Sequence, residues 1–294
     1  MGYGIAAVQN TLELWQLGYF KNIKKVVEMG SQELHLKAAD FEEMVMMAGV
    51  TNYEKEKFPN LDNWPKQPRC SSRLLYKMLG VDEHYNVDLN GEFNSIPHDF
   101  NLPFEDTSMY SQFDLVTDHC ACGHSINIAE SYRTMHSLCK PGGLIIVAIP
   151  LWGGNGYFLY DKAFIYGIAA ANNYKILFDS YVINTCTKTK NGSGHGFHIP
   201  INKELLNTID MTKVSWLGVH AVLQKQEDSD FKIPYQNDYL SEQQGHLGFN
   251  RLFYKDPPGG YSYIPVFDLK SISGKVLFKE LINKVINRFT KFKL

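Results

Sequence analysis

Short apolar runs alternate with stretches of helical periodicity over the first two-thirds of the sequence, and this order limits the folds open to the chain. The apolar runs occupy residues 24–28, 84–88, 113–117 and 144–149. Neighbouring parallel strands need a crossover connection, which is usually a helix. The order therefore predicts an α/β fold with a mostly parallel sheet and helices on both of its faces.

The segments between these runs complete the predicted fold. Helices are expected at about 6–17, 34–48, 71–79, 126–139 and 162–172, and further strands at 96–100, 175–184 and 215–224. The Lys-Pro-Gly-Gly stretch at 140–143 cannot continue a helix. Residues 51–70 are rich in Lys, Asn and Pro, which indicates an inserted loop or lid. The polar stretch 185–196 is expected to be a loop.

Length and a change of pattern near residue 229 predict the domain organisation. A chain of 294 residues suits one large α/β domain with an appendage better than two equal domains. We therefore assign residues 1–228 to one domain. Residues 229–294, in which the pattern becomes irregular and rich in Pro, Gly and Tyr, form a C-terminal extension.

The extension ends in a basic amphipathic helix, which we predict over residues 275–294. Apolar residues recur there at helical spacing, with Lys and Arg between them. Such a helix can lie on a membrane surface as a peripheral contact. It can also dock on its own domain or on a second copy of the chain in a homo-oligomer. Docking is favoured, because the rest of the chain shows no tendency toward membranes.

Charge and composition argue against several partners and compartments. The net charge is −2 at pH 7, so no overall field draws the chain to nucleic acid or anionic lipid. No run approaches the roughly 18 to 20 apolar residues of a spanning helix, and the first residues do not resemble a secretion signal. Five cysteines without a framework-like spacing indicate reduced thiols. We expect a cytoplasmic protein with no nucleic-acid substrate.

Acidic and small residues stand at the carboxyl ends of the predicted strands. Glu28 and Gly30 follow the first strand, Asp88 the second and Asp99 the third, and residues 117–119 end the fourth. Ligands of open α/β sheets bind outside these strand ends, and glycine lets the backbone bend tightly next to a ligand. Asp88 is placed to accept hydrogen bonds from two ribose hydroxyls. The alternative is that Glu28 and Asp88 are helix caps or loop acids.

Five segments resemble, in the expected order, the motifs of class I (Rossmann-like) S-adenosylmethionine-dependent methyltransferases. The segment 26–32 (Val-Val-Glu-Met-Gly-Ser-Gln) is similar to their first motif, which contacts the cofactor, and 86–88 (Asn-Val-Asp) to their ribose-binding acid. The segment 98–100 (His-Asp-Phe) resembles the part that reads the adenine. The segments 113–117 and 138–144 resemble their fourth-strand motif and the turn after their fourth helix.

This resemblance, which covers about residues 22–226, implies a seven-stranded, mostly parallel sheet with an antiparallel edge strand. It also implies S-adenosyl-L-methionine as the cofactor. The cofactor contacts that it implies are Glu28, Gly30, Ser31, Gln32, Asp88, Asp99, Phe100 and Asp118. The sequence departs from the family in one place, because the first motif has Gly30-Ser31-Gln32 where the common form has a second glycine. The dinucleotide motif G-x-G-x-x-G is absent, which argues against a pyrophosphate-binding loop.

Two histidines near the loop after the fourth strand are candidates for a general base. Methyl transfer from a sulfonium depends mainly on positioning, but a hydroxyl acceptor also has to lose a proton. His119 and His124 flank the place where the methyl group is expected, although both can instead cap the following helix. The stretch 119–124 (His-Cys-Ala-Cys-Gly-His) contains zinc-ligand types. Its Cys-x-Cys spacing is unusual for zinc and no second pair follows, so we predict no metal.

These observations favour a methyltransferase that O-methylates a small molecule or a saccharide-derived hydroxyl, in a polysaccharide or secondary-metabolite pathway. Two alternatives remain open: a nucleotide-sugar oxidoreductase on a dinucleotide fold, and a non-catalytic module that binds S-adenosylmethionine. Comparing the shifts in melting temperature caused by NAD and by S-adenosylmethionine would distinguish the first alternative from a methyltransferase. Stabilisation by S-adenosylhomocysteine without any methyl transfer would indicate the second.

Overall fold

A computed structural model describes residues 2–235 of the chain, together with residues 274, 278 and 282. Strands and helices alternate through residues 2–235. The strands are β1 (Gly2–Tyr3), β2 (Lys25–Met29), β3 (Glu33–Leu34), β4 (Glu83–Val87), β5 (Phe113–His119), β6 (Cys139–Trp152), β7 (Tyr174–Lys188), β8 (Gly194–Ile199) and β9 (Val214–Lys225). The helices are α1 (Ile5–Gln16), α2 (Ala38–Met47), α3 (Arg73–Met78), α4 (Ile128–Leu138), α5 (Lys162–Ala171) and α6 (Lys203–Leu206).

Seven strands of the described region form one sheet, in the order β4-β2-β5-β6-β9-β7-β8. Strands β4, β2, β5 and β6 are parallel to one another, and β9 is antiparallel to both β6 and β7. Met29 on β2 lies opposite Val87 on β4 and Asp118 on β5. The ends of β2, β4, β5 and β6 therefore meet at one side of the sheet, here called the carboxyl edge. This sheet confirms the predicted α/β class.

The two faces of the sheet are covered by different helices, as the alternation of side chains along a strand requires. Val26 belongs to the core that packs against α1, α2 and α3. Its neighbour Val27 belongs to the core on the other face, which packs against α4 and α5. Helix α2 begins at Ala38 rather than near residue 34, because Leu34 pairs with Tyr3 in a small separate sheet of β1 and β3.

One strand prediction and one loop prediction were wrong. Residues 96–100 make only one isolated bridge, between Ile96 and Val87, since Pro97 lacks an N–H for a ladder. Residues 185–196 are not a loop, because β7 continues to Lys188 and β8 begins at Gly194. Threonine is a good strand former, and the turn closes with a hydrogen bond from Thr189 N to Ser193 O (2.9 Å).

The segment 51–70, predicted as a loop or lid, is irregular and contains two short 3₁₀ turns at Lys55–Lys57 and Leu61–Asn63. Phe58 is buried, and its ring lies 4.9 Å from that of Phe41 on α2. The segment therefore contributes to the core on that side of the sheet. Movement as a lid stays a prediction.

The C-terminal extension lies mostly outside the described residues. The predicted helix at 275–294 can be followed only at residues 278 and 282, which are helical and exposed, as is residue 274. The division of the chain at residue 228 stays a prediction. Among the helices that the structure describes, none has the length and apolar character needed to cross a bilayer.

Candidate functional site

Gly30 forms a tight bend where β2 ends at the carboxyl edge. Its φ is 87°, in the left-handed region that glycine adopts without steric cost. The bend is closed by a hydrogen bond from Gly30 N to Val87 O (2.8 Å) on the neighbouring strand. It turns the backbone N–H of Ser31 toward the residue that follows β4.

That residue is Asp88, and its carboxylate lies against the Gly30 bend. Ser31 N donates to Asp88 Oδ2 (2.8 Å), and Asn90 N donates to Asp88 Oδ1 (3.1 Å). A carboxylate offers about four acceptor positions, so about two are left for other donors. Asp88 is half-buried. The sequence predicts this adjacency of Asp88 and Gly30, while the ligand role of Asp88 stays a prediction.

The loop that begins at Gly30 and the loop that begins at Asp88 meet at the carboxyl edge, and this place is here called the Gly30 corner. The side chain of Ser31 joins the two loops. Its hydroxyl lies 2.8 Å from Asn90 Oδ1 and 3.0 Å from Glu92 O, so its one proton is shared between two acceptors, and Ser31 is only 5% exposed. Ser95 Oγ donates to Asp88 O (3.2 Å). Ser31 therefore holds the loop after β4 against the Gly30 bend.

Glu28 is fully buried, and its expected contact with the cofactor stays a prediction. The Tyr3 hydroxyl donates to Glu28 Oε1 (2.7 Å), the Ser72 hydroxyl donates to Oε2, and His84 Nε2 lies 2.8 Å from Oε2. Thr117 Oγ1 is 3.5 Å from Oε1. Protein side chains thus surround the carboxylate, which fastens β1, α3 and β4 to β2. Glu28 therefore stabilises the end of β2, from which the Gly30 bend begins.

Tyr3 completes this buried cluster and was not found from the sequence. Its hydroxyl is 2.5 Å from that of Tyr76, and its ring centroid is 4.0 Å from that of His119. Burial, followed by the charge of Glu28, raises the pKa of both tyrosines well above its ordinary value. Both phenols are therefore neutral and able to donate. A two-residue strand carries no periodicity, so no sequence signal marks Tyr3.

Gln32 also lies in the interior. It is fully buried, and its Nε2 donates to Met29 O (2.6 Å). No residue that the structure describes pairs with its Oε1. The side chain of Gln32 therefore braces the bend through the backbone of β2, and the expected cofactor contact of this residue stays a prediction.

Asp99 and Phe100 form the next corner of the carboxyl edge. Asp99 Oδ1 accepts hydrogen bonds from Asn101 N (2.9 Å) and Asn101 Nδ2 (2.8 Å), which lower the pKa of Asp99. Asn101 Oδ1 in turn accepts from the backbone N–H groups of Ile126 (2.9 Å) and Asn127 (3.0 Å), just before α4. Phe100 is half-buried against the core. Asp99 thus orients the connection to α4.

Asp118 is turned inward at the end of β5. Its Oδ1 accepts from Ala121 N (2.6 Å) and Cys122 N (3.1 Å) and so closes the turn after the strand. Burial raises the pKa of Asp118 to about 6, although these hydrogen bonds act to lower it. Cys120 in the same turn has φ 66°, which is uncommon for a residue other than glycine and typical of strained functional loops.

The two candidate bases occupy different environments. His119 is buried beneath Tyr3, and burial lowers the pKa of His119 to about 4, against the effect of Glu28. In the part of the chain that the structure describes, His119 Nε2 has no hydrogen-bond partner. His124 is exposed, in a 3₁₀ turn at Cys122–His124. Of the two, only His124 is open to an acceptor from solvent.

An apolar rim surrounds this part of the carboxyl edge. Six of the ten large hydrophobic side chains that are exposed within residues 2–235 lie in the loops or at the strand ends there, so exposed apolar surface is concentrated at this edge. They are Leu89, Leu102, Ile126, Trp152, Tyr157 and Leu159. Clustered apolar exposure is typical of a binding surface.

Two loops of this rim are joined through their backbones. Tyr157 N donates to Gly123 O (2.8 Å). A Cβ on Gly156 would lie 2.5 Å from the same carbonyl oxygen, a distance that real Cβ atoms do not reach. The loop after β6 and the turn that carries His124 therefore pack as closely as two backbones can.

A cavity of about 410 Å³ lies at the opposite edge of the sheet, where β2, β5 and β6 begin. It is bordered by Asp114 and by the glycine turn at 140–143. The Lys140 ammonium pairs with the Asp114 carboxylate, which also accepts from the backbone N–H groups of Lys24 and Lys25 (2.8 Å each). These contacts join β2, β5 and β6 at their starts. The cavity is separate from the Gly30 corner.

Among the residues that the structure describes, no cluster of three or more His, Cys, Asp or Glu side chains could hold a metal ion. All five cysteines are free, and Cys186 is the exposed one. Burial raises the pKa of Cys122 and Cys139. The thiols at 120 and 122 pack in the turn after β5.

No protein-family model matches the chain. One curated protein, the ectonucleotide pyrophosphatase/phosphodiesterase family member 7 of Rattus norvegicus, is 31% identical over 93 residues. That match covers 32% of this chain and 20% of the rat protein. The chain thus spans about a fifth of that relative, and the match assigns no activity.

The solved structures that resemble the chain include S-adenosylmethionine-dependent methyltransferases. The 1,6-didemethyltoxoflavin-N1-methyltransferase of Burkholderia thailandensis, crystallised with S-adenosylhomocysteine, is 10% identical, with TM-score 0.34 over 75% of this chain and 79% of that one. A methyltransferase of Archaeoglobus fulgidus is 14% identical, with TM-score 0.34 over 74% and 93%. The MycE methyltransferase of mycinamycin biosynthesis is 15% identical, with TM-score 0.37 over 78% and 52%. At these values the activity has to be argued from the site.

Proposed function

We propose that this chain is an S-adenosylmethionine-dependent methyltransferase that methylates a hydroxyl of a small molecule or a saccharide-derived acceptor. The observation that carries the proposal is the half-buried carboxylate of Asp88 beside the glycine bend at Gly30. Asp88 retains acceptor positions suited to two ribose hydroxyls, and the bend has no side chain to obstruct a nucleoside. S-adenosylmethionine contains no phosphate, which agrees with the absence of a phosphate-binding loop.

The residues of the corner would share the binding of this cofactor. Asp88 accepts hydrogen bonds from the ribose, the backbone at Gly30 and Ser31 borders the methionine part, and Asp99 and Phe100 border the adenine. Glu28, Gln32 and Asp118 hold the bend and the turn after β5 in place from inside the protein. Bound there, S-adenosylmethionine supplies an electrophilic methyl group on a sulfonium.

His124 is the residue that we assign to the acceptor hydroxyl. It is exposed at the carboxyl edge, and an imidazole can accept a proton near neutral pH. The apolar rim, including Trp152 and Tyr157, would hold the acceptor by stacking on its apolar face and exclude water around it. Most of the rate enhancement would come from this positioning, and proton removal by His124 would add to it.

Calorimetry with S-adenosylhomocysteine tests the cofactor assignment. We expect saturable binding to the wild-type chain and a weakening of about 5- to 150-fold in Asp88→Ala, because hydrogen bonds to a charged group are lost. Asp82→Ala is a matched control, since Asp82 is an exposed carboxylate at the other end of β4. NAD serves as the competing ligand. Tight binding of NAD, or equal S-adenosylhomocysteine affinity in wild type and Asp88→Ala, would contradict the proposal.

A further inference from the structure

A second cavity, of about 370 Å³, lies between α3 and the start of β4. This is the opposite end of β4 from Asp88, so the cavity is separate from the Gly30 corner. The lining residues are Arg73, Lys77, Gly80, Val81, Asp82 and His84.

The charges of the lining leave a positive excess. Asp82 is paired with Lys24 (3.6 Å) outside the cavity. Arg73 and Lys77 are exposed, and neither forms an ion pair with any residue in the described part of the chain. Two cations on one side of the cavity are thus uncompensated.

The local structure of helix α3 does not favour a positive charge at position 73. Arg73 is the first residue of α3, where the helix dipole disfavours a cation, whereas Lys77 in the last turn is favoured. The two residues are also four apart, and like charges at that spacing repel each other across one helical turn. A bound anion would remove both costs.

His84 provides a polar atom that lacks a partner on the strand side. The side chain is 4% exposed, and its Nε2 is 2.8 Å from Glu28 Oε2. Within the described residues, its Nδ1 is buried and makes no hydrogen bond. Buried polar atoms almost always have a partner, and an orphan atom in a lining residue calls for an explanation such as a bound water or ion.

We propose that this cavity binds a phosphate group, held by Arg73 and Lys77 with His84 beneath it. Arg and Lys are the usual phosphate partners, Arg through a planar fork and Lys as a point charge. Near neutral pH the monoanion of inorganic phosphate carries both acceptor oxygens and an O–H, whereas a phosphate monoester is mainly a dianion, which only accepts. The inorganic ion can therefore pair with an imidazole nitrogen that donates or with one that accepts, and the ester with one that donates. The same chemistry occurs in free phosphate and in a phosphorylated metabolite.

Calorimetry with inorganic phosphate at constant ionic strength, balanced with chloride, tests the site in the full chain. We expect saturable binding of one phosphate to the wild type and a weakening of about tenfold or more in the double variant Arg73→Gln/Lys77→Gln, because two charge-assisted hydrogen bonds are lost. The matched control is Lys175→Gln/Lys203→Gln, which removes two exposed positive charges elsewhere. Its affinity should equal that of the wild type.

The outcomes are distinct. Equal weakening in both double variants would show attraction by net charge and would overturn the site, as would absence of saturable binding. Thermal unfolding without phosphate checks that both variants fold. Repeating the titration with glycerol 3-phosphate identifies the chemical form of the ligand. Tighter binding of the ester indicates a phosphorylated metabolite, and tighter binding of inorganic phosphate indicates the free ion. None of these measurements uses S-adenosylhomocysteine, so they stand apart from the methyltransferase proposal.

Discussion

Replacing Asp118 with Asn should change how the stability of the protein depends on pH. Burial raises the pKa of Asp118 from 3.8 to about 6, against the hydrogen bonds from Cys122 and Ala121. Unfolding restores the ordinary pKa, so the folded state binds this proton more tightly than the unfolded state. The stability that this proton contributes is fully present below about pH 3.8 and is lost as the pH rises through about 6.

The size of the effect follows from the two pKa values. A pKa difference of about 2 between folded and unfolded states corresponds to about 3 kcal/mol, and about 2 kcal/mol of this falls between about pH 4.5 and about pH 8. Asparagine does not ionise there. Its side-chain oxygen can accept the same two backbone hydrogen bonds, because both go to Oδ1 of Asp118. The wild type should therefore lose about 2 kcal/mol relative to Asp118→Asn across this range.

Urea unfolding of both proteins at a series of pH values measures this difference. Asp114→Asn is the matched control on the same strand. Burial acts to raise the pKa of Asp114, but hydrogen bonds from Lys140 and from two backbone N–H groups lower it overall. The wild type should gain stability over Asp114→Asn, which is the opposite sign, only as the pH rises toward about 3.8, and the difference between them should be nearly constant from about pH 4.5 to about pH 8. A difference between wild type and Asp118→Asn that is constant over the range would refute the reasoning.

Two further variants probe the interior and the surface of the candidate site. Tyr3→Phe removes a donor to the buried Glu28 carboxylate and should lower the free energy of unfolding by about 1–3 kcal/mol; Tyr19→Phe, at a half-buried position outside that cluster, should leave urea unfolding unchanged. His124→Ala should reduce transfer of a labelled methyl group to phenolic or monosaccharide hydroxyls by about 100-fold or more without altering S-adenosylhomocysteine affinity, and full activity in this variant would exclude His124 as the base.

The elements with strong periodicity could be predicted from the sequence. The continuous apolar run at 144–149 lies within β6, and the run at 113–117 lies within β5, because a central strand covered on both faces has to be apolar throughout. The meeting of Asp88 and Gly30 also follows from general geometry, since parallel strands end at the same edge of a sheet.

The surroundings of the acidic side chains could not be predicted. Glu28 and Asp118 stand at strand ends, where the sequence favours a ligand contact, but both face inward. The partners of Glu28 come from four distant parts of the chain, including Tyr3 and His84. No local pattern specifies such contacts. Strand β8 was missed for a related reason, because an edge strand of glycine and histidine residues lacks the apolar alternation that identifies a half-buried strand.

The backbone contact between Gly123 and Tyr157 ties the position of His124 to that of the wall formed by the loop after β6. Because Gly156 has no room for even a methyl group, the separation of these two loops is set by main-chain atoms. Substitutions of exposed side chains such as Trp152 can change the shape of the apolar rim without moving the backbones of the two loops. Selectivity at this edge can therefore be altered by substitution, whereas lengthening either loop would displace the histidine and the wall together.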